Sequence, residues 1–187
     1  LVTVRAVILA AGESRRMGTQ KLFLPFRNKP MIEHVLEAAA DMQPLIVTSA
    51  DLAEFLDFYR PPVQTIVNDE PHRGMSHSLR LADATLPANE PFLVLLGDKP
   101  LVTRALIQEI CAHAGEADLI FPQRGEEPGH PVFFSAKARR RIARLPEGDS
   151  LRTLRENPGL STLALLIDDP GAYLDVDSPG ALNVLHE

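Results

Sequence analysis

The sequence predicts an α/β protein built on a mostly parallel sheet with helices on both faces. Two observations predict it. Short apolar, β-branched runs recur along the 187 residues, and segments with helical spacing of apolar residues lie between them. Val4 to Ala10 (VRAVILA) reads as the first buried strand, too short and too β-branched for a helix. Pro30 suits the first turn of a helix running to about Met42. Leu45 to Thr48 is a second strand, Leu52 to Phe58 an amphipathic stretch, and Val63 to Val67 a third strand. Met75 to Leu86 reads as helix, and Phe92 to Leu96 (FLVLL) is the clearest buried strand. Leu106, Ile107, Ile110 and Cys111 recur at helical spacing. Leu119 to Phe121, Pro131 to Phe134, Thr162 to Ile167 and Tyr173 to Val176 complete the strand candidates.

Composition bounds the function. Hydrophobic residues make up 45% and charged residues 24%, the balance of an ordinary globular chain, and the length suits one domain over residues 1–187. No signal peptide is visible, and no apolar run is long enough to span a bilayer. The single Cys111 rules out an internal disulfide and fits a reducing cytoplasm; its place on an apolar stripe predicts a core residue. A net charge of -6 argues against a nucleic-acid partner. Six scattered histidines and one cysteine give no zinc-ligand spacing.

Against that acidic background, ILAAGESRRMGTQKL sets Arg15, Arg16 and Lys21 on a loop flanked by Gly12 and Gly18. Glycines let a ligand approach the main chain, and loop amides beside cations form an anion nest. The spacing is neither a Walker A loop nor a Rossmann fingerprint. A small phosphate-bearing ligand and a plain turn with solvated arginines both fit the loop alone. In an α/β sheet, ligands sit beyond the carboxyl ends of the strands, where this loop and Gly97-Asp98 both fall. Asp98 can bind a hard cation such as Mg²⁺ or cap the next turn. Asp175 and Asp177 alternate across Val176 and would share one face of a strand, with Ser178 and Pro179 opening a last helix. Arg139, Arg140, Arg141 and Arg144 form a basic run expected to be a solvated helix face. His77 is expected to be exposed.

These motifs together carry a resemblance. LAAGESRRMGTQK is similar to the signature L-A-A-G-x-S-x-R-M-G-x-x-K of the nucleotidyltransferases that act on molybdenum cofactor, the MobA-like family. KPMIEHVLEAA, NDEPHRGMSHSL, LLGDKP, GHPVFF and DVDSP resemble later family segments, in family order and over nearly the whole chain. The resemblance implies a Rossmann-like three-layer α/β/α fold. It implies nucleotide binding by Leu9, Ala10, Ala11, Gly12, Arg16, Lys21, Gly74 and Ser78. Arg16, Lys21 and Asp98 would be catalytic. Mg²⁺ would sit on Asp98 with Asp177, and Asp175 is a close second. Lys99, where the family usually has Gln, and His130 would face the acceptor. Ala10-Ala11-Gly12 resembles the cytidylyltransferases, whereas guanylyltransferases typically carry Ala-Gly-Gly. The implied reaction transfers CMP from CTP to the terminal phosphate of molybdopterin or molybdenum cofactor, releasing pyrophosphate, with a molybdenum hydroxylase as client. Rival readings are a guanylyltransferase on the same cofactor, a transferase for another phosphorylated metabolite, and a cofactor-delivery chaperone.

Overall fold

A computed structural model of the protein describes residues 3–12, 21–59 and 62–175. Strand β1 (Arg5–Ala10) is followed by a two-stranded ribbon, β2 (Pro25–Phe26) with β3 (Lys29–Pro30), and by helix α1 (Met31–Ala38). Then come β4 (Leu45–Thr48), α2 (Ala50–Leu56), β5 (Gln64–Val67), α3 (Met75–Thr85), β6 (Phe92–Leu96) and α4 (Arg104–Ala112). The second half holds β7 (Leu119–Arg124), β8 (Glu127–Pro128), β9 (Val132–Phe134), α5 (Ala136–Ile142), α6 (Leu151–Arg155) and β10 (Thr162–Leu166).

The main sheet runs β10-β7-β9-β6-β1-β4-β5, with β8 paired to β7. β1 lies parallel between β4 and β6, with Ile8 opposite both Ile46 and Leu95. The chain moves outward from β1 through β4 to β5, then crosses back to β6 on the other side of β1. That reversal is a topological switch point, where a crevice opens beyond the strand ends. The alternation of side chains along each strand feeds two cores. Ile8, Ile46, Leu93 and Leu95 pack under α1, α2 and α4, and Val7, Val47, Phe92 and Val94 pack under α3, α5 and α6. The result is the Rossmann-like three-layer fold expected.

Several features depart from the sequence reading. β9 runs antiparallel to both neighbours in a sheet that is mostly parallel as expected, and the composition of a run buried on both faces does not record its direction. Tyr173 to Asp175 form no strand; they follow a 3-10 turn, Pro170–Ala172, and Val176 lies outside the described residues. Pro30 caps α1 from outside instead of starting its first turn, and the helix stops at Ala38, followed by a separate 3-10 turn, Ala40–Met42. Cys111 packs against the core only partly buried, and burial pushes its thiol up to about 11.

A further correction is Arg139, which is not on a solvated face but only 1% exposed. Its Nε donates to Asp83 Oδ1 at 2.7 Å, Nη1 to the carbonyls of Pro87 (2.7 Å) and Glu90, and Nη2 to those of Asp83 and Leu86 (both 3.2 Å). The guanidinium also lies 4.9 Å from the centroid of Phe92. It thereby satisfies carbonyls that the C-terminal end of α3 cannot bond internally, where a cation is favoured. Lys137, Arg140, Arg141 and Arg144 do share an outer face. His77 is half-buried, 3.8 Å from Glu70.

Asp118 ties α5 to the sheet. Burial opposes its ionisation, but Lys137, Ser161 and Ser135 donate to it and hold its carboxyl down at about 2.

Two predictions follow from these hubs. Arg139→Ala should cost about 3–5 kcal/mol in urea unfolding, the scale of an uncompensated buried pair, while Arg140→Ala should stay within about 0.5 kcal/mol. The Asp118 carboxyl titrates lower in the folded chain than its ordinary 3.8, so its contribution is full above about pH 4 and lost as pH falls toward 2. Unfolding of Asp118→Asn across that window should therefore depend less on pH than unfolding of the parent protein.

Candidate functional site

The crevice at the switch point is a solvent-open cleft of about 700 Å³. The C-terminal end of β1 supplies Leu9, Ala10, Ala11 and Gly12; β6 and its turn supply Leu96 and Asp98; the start of α3 supplies Gly74, Met75 and Ser78; Lys21 closes one side. Leu9, Ala10, Ala11, Gly12, Lys21, Gly74, Ser78 and Asp98 thus line one cleft, although they are drawn from four parts of the chain. Arg16 lies outside the described residues, as do Arg15 and Asp177.

Local packing explains these placements. Gly97 follows the apolar β6, and its N–H donates to Leu9 O at 2.9 Å. A Cβ on Gly97 would stand 3.2 Å from both Ala10 Cβ and Ile32 Cδ1, and 3.3 Å from Leu22 Cδ1. Gly97 is therefore required by the core, and the next residue, Asp98, turns out into the cleft. Leu22 is buried and anchors the 3-10 turn Lys21–Phe23, which presents Lys21. Lys21 Nζ donates to Asp98 Oδ2 at 2.7 Å, with the two side chains 20% and 24% exposed. Gly12 contrasts with Gly97: a Cβ there would meet nothing within 4 Å and would enter the cleft.

At the base of the cleft, Gly74 precedes α3 with a φ of 79°, and a Cβ there would meet the Cα of Gly148 at 3.0 Å. The N-terminal end of α3 borders the cleft, and such an end favours anions. Ser78 is buried, and its Oγ accepts from Asn68 Nδ2 at 3.0 Å. Asn68 itself was missed in the sequence. It follows β5 and is 3% exposed, and its Oδ1 accepts from the Glu70 N–H at 2.9 Å. Its position just past a parallel strand was the available signal.

Lys99 and His130 come together behind the sheet edge, around a small void shared with Val102 and Pro131. Lys99 is 5% exposed; its Nζ donates to Tyr173 O at 2.9 Å and to the Asp175 carboxylate. The segment it holds is tightly seated. A Cβ on Gly171 would stand 2.4 Å from Leu101 O, and one on Gly129 would stand 2.8 Å from Ala172 O. His130 Nδ1 is buried without a hydrogen-bond partner. Burial, with the positive charges of Lys99 and Arg155, pushes its pKa down to about 3, so the ring is neutral at ordinary pH.

The donor set of the cleft suits one hard cation. Asp98 Oδ2 accepts from Lys21, and Oδ1 has no hydrogen-bond partner among the described residues. No cluster of three His, Cys, Asp or Glu side chains among the described residues could hold a metal by itself. One carboxylate completed by phosphate oxygens and water is how Mg²⁺ is often held, and Asp98 fits that pattern.

Comparison with known proteins agrees with this geometry. A family model described as "MobA-like NTP transferase domain" matches residues 6–162. Over 117 residues, 58% of this chain, the sequence is 35% identical to the bifunctional protein GlmU of Alkalilimnicola ehrlichii. Over 123 residues, 64% of this chain, it is 33% identical to a probable molybdenum cofactor guanylyltransferase of Natranaerobius thermophilus. The matched regions make up 24% and 60% of those proteins, so the chain spans about a quarter of the length of the first. The crystal structure of the Mycobacterium tuberculosis Rv0371c homologue from Mycobacterium sp. strain JC1 superimposes with a TM-score of 0.86 at 25% identity, covering 100% of this chain and 98% of that one.

The two glycines should separate packing from ligand approach. Gly97→Ala should lower stability by about 1–3 kcal/mol, the cost of overpacking a filled core. Gly12→Ala should leave the thermal midpoint nearly unchanged and weaken nucleotide binding by roughly tenfold, a 1.4 kcal/mol steric cost. Thermal melts and calorimetric titration of both variants check this.

Proposed function

Because this chain belongs to the MobA-like NTP transferase domain family and is a nucleotidyltransferase acting on NTPs, we propose that it transfers CMP from CTP to the terminal phosphate of molybdopterin or molybdenum cofactor. The observation that carries this reading is the single cleft shared by Leu9, Ala10, Ala11, Gly12, Lys21, Gly74, Ser78 and Asp98. The nucleotide lies there with its phosphates toward Lys21 and Gly12 and its base toward Gly74 and Ser78, and Arg16, which lies outside the described residues, is expected to add charge to the phosphate side. Ala11, before Gly12, narrows the base side and favours the smaller pyrimidine. In the reaction an acceptor phosphate oxygen bonds to the α-phosphorus of CTP. The bond from that phosphorus to the bridging oxygen breaks, and pyrophosphate leaves with that oxygen.

No protein nucleophile is needed. Positioning and charge neutralisation supply most of the rate in such transfers. Lys21 neutralises phosphate charge in place of its contact with Asp98. Proteins of this family typically use a divalent metal; here Asp98 would hold Mg²⁺, with Asp177, which lies outside the described residues, as the expected second carboxylate. When bound it neutralises the charge on the phosphates. Asp175 is engaged by Lys99, which favours Asp177 for that role. Lys99 and His130 stand on the acceptor side, Lys99 by fixing the segment that ends at Asp175 and His130 as a neutral ring. The reading takes residues 1–187 as one domain, places the reaction in the cytoplasm and gives the product to a molybdenum hydroxylase. No helix among the described residues is long and apolar enough to cross a membrane.

A nucleotide panel tests the proposal. Purified protein with Mg²⁺ and molybdopterin should release pyrophosphate faster from CTP than from GTP. Preference for GTP would instead favour the guanylyl reading, which the named activity of the Natranaerobius relative supports. Asp98→Asn should lower turnover by about 10²–10³-fold, the scale of losing one well-placed charge contact, with partial recovery as Mg²⁺ is raised. Near-normal turnover of Asp98→Asn at low Mg²⁺ would remove the metal from Asp98.

A further inference from the structure

Helix α6 carries two arginines in its last turn that the fold treats differently. Arg152 Nε donates to Glu156 Oε1 at 2.6 Å. Arg155 is half-buried, with its guanidinium carbon 5.4 Å from the centroid of Phe121, and it has no hydrogen bond or ion pair among the described residues. A guanidinium has five N–H donors, and withdrawing it from water without acceptors is costly. The buried Arg139 shows how this fold otherwise meets that demand, with acceptors on all three of its nitrogens.

Arg155 opens into a second solvent-exposed cleft of about 720 Å³. Phe121 and Pro128 give it apolar walls, Gln123 adds an amide, and Glu126 and Glu156 stand at it, the latter paired to Arg152. Its position relative to the nucleotide cleft follows from the topology. Gln123 is next to last in β7 and Leu96 is last in β6, so both clefts lie at the same edge of the sheet. β7 and β6 are separated only by β9, which sets them about 10 Å apart. Both clefts also flank the same layer, since Phe121 belongs to the core that contains Ala11 and Leu79. Burial is the main reason the His130 pKa is lowered, and the positive charges of Lys99 and then Arg155 add to it.

We propose that Arg155 anchors the distal end of the acceptor substrate, a flat heteroaromatic ring that presents a carbonyl-oxygen and ring-nitrogen edge to the guanidinium. The guanidinium fork meets such an edge with two parallel hydrogen bonds, and the Phe121–Pro128 wall takes the ring face. The proposal rests on the reading above, in which the acceptor reacts through a phosphate, and it adds what is recognised at the other end. A pterin ring carries the required edge. Arg155 is thus a specificity-determining residue outside the nucleotide cleft.

The test uses the full chain and two probes: molybdopterin, and 6-hydroxymethylpterin as a ring without phosphate. Pterin fluorescence reports binding of the second. Arg155→Met should weaken pterin binding and raise the KM for molybdopterin at least tenfold. The kcat at saturation, the affinity for CTP and the melting temperature should stay near those of the parent. Arg155→Lys, which keeps charge but loses the fork, should not rescue, and Arg152→Met should bind like the parent. Equal pterin binding by Arg155→Met and the parent would overturn the proposal, as would no pterin binding by the parent. Turnover of molybdopterin by the parent is a separate readout. Its absence would overturn the acceptor reading, whereas turnover that is indifferent to Arg155 would overturn only the anchor.

Discussion

The contact on which the site depends is the close approach of Gly97 to Ala10, Ile32 and Leu22. Two of these neighbours stand one step from a cleft residue: Ala10 precedes Ala11 and Gly12, and Leu22 follows Lys21. Gly97 itself precedes Asp98. A single core contact therefore sets the spacing between a loop at the end of β1, a cation on a 3-10 turn and a carboxylate at the end of β6. The parallel register of β1 with β6 supplies the rest, because it ends both strands at the same level. The cleft is the uncovered edge of a well-packed core, which is why residues far apart in the chain meet there.

Charge is used in two ways in this acidic molecule. Arg139 and Lys99 are buried and saturated with carbonyl and carboxylate oxygens. They hold the end of α3 and the segment at Tyr173 in place, and their donors are committed. Lys21, Asp98 and Arg155 differ: each is partly open to solvent and borders a cleft. Partial exposure keeps the desolvation cost of these charges low.

Much of the fold was legible in the sequence because burial leaves a period. Leu45 to Thr48 and Phe92 to Leu96 were read to the residue, and the motif order placed Asp98 at a strand end. Direction and partnership leave no such trace. β9 is as apolar as a parallel strand, so its reversal was invisible. Arg139 looked like its neighbours Arg140 and Arg141 because only the packing of α5 against α3 singles it out. Lys99 was legible as a departure from the family but not as the clasp on Asp175. Arg155 and Asn68 were not singled out, since each depends on what its side chain meets across the fold.

The Lys21–Asp98 pair, with side chains 20% and 24% exposed, sets opposite charges side by side in the cleft. On the proposed reading, binding there would be ion exchange and not simple addition. A bare cation arriving at Asp98 has to displace an ammonium, and a bare polyphosphate arriving at Lys21 has to displace a carboxylate. Either visitor alone would break the Lys21–Asp98 contact. A metal–polyphosphate chelate swaps both at once: cation goes to carboxylate, anion goes to ammonium, and no charge is stranded. On the proposed reading, the pair would favour the chelate over either ion arriving alone.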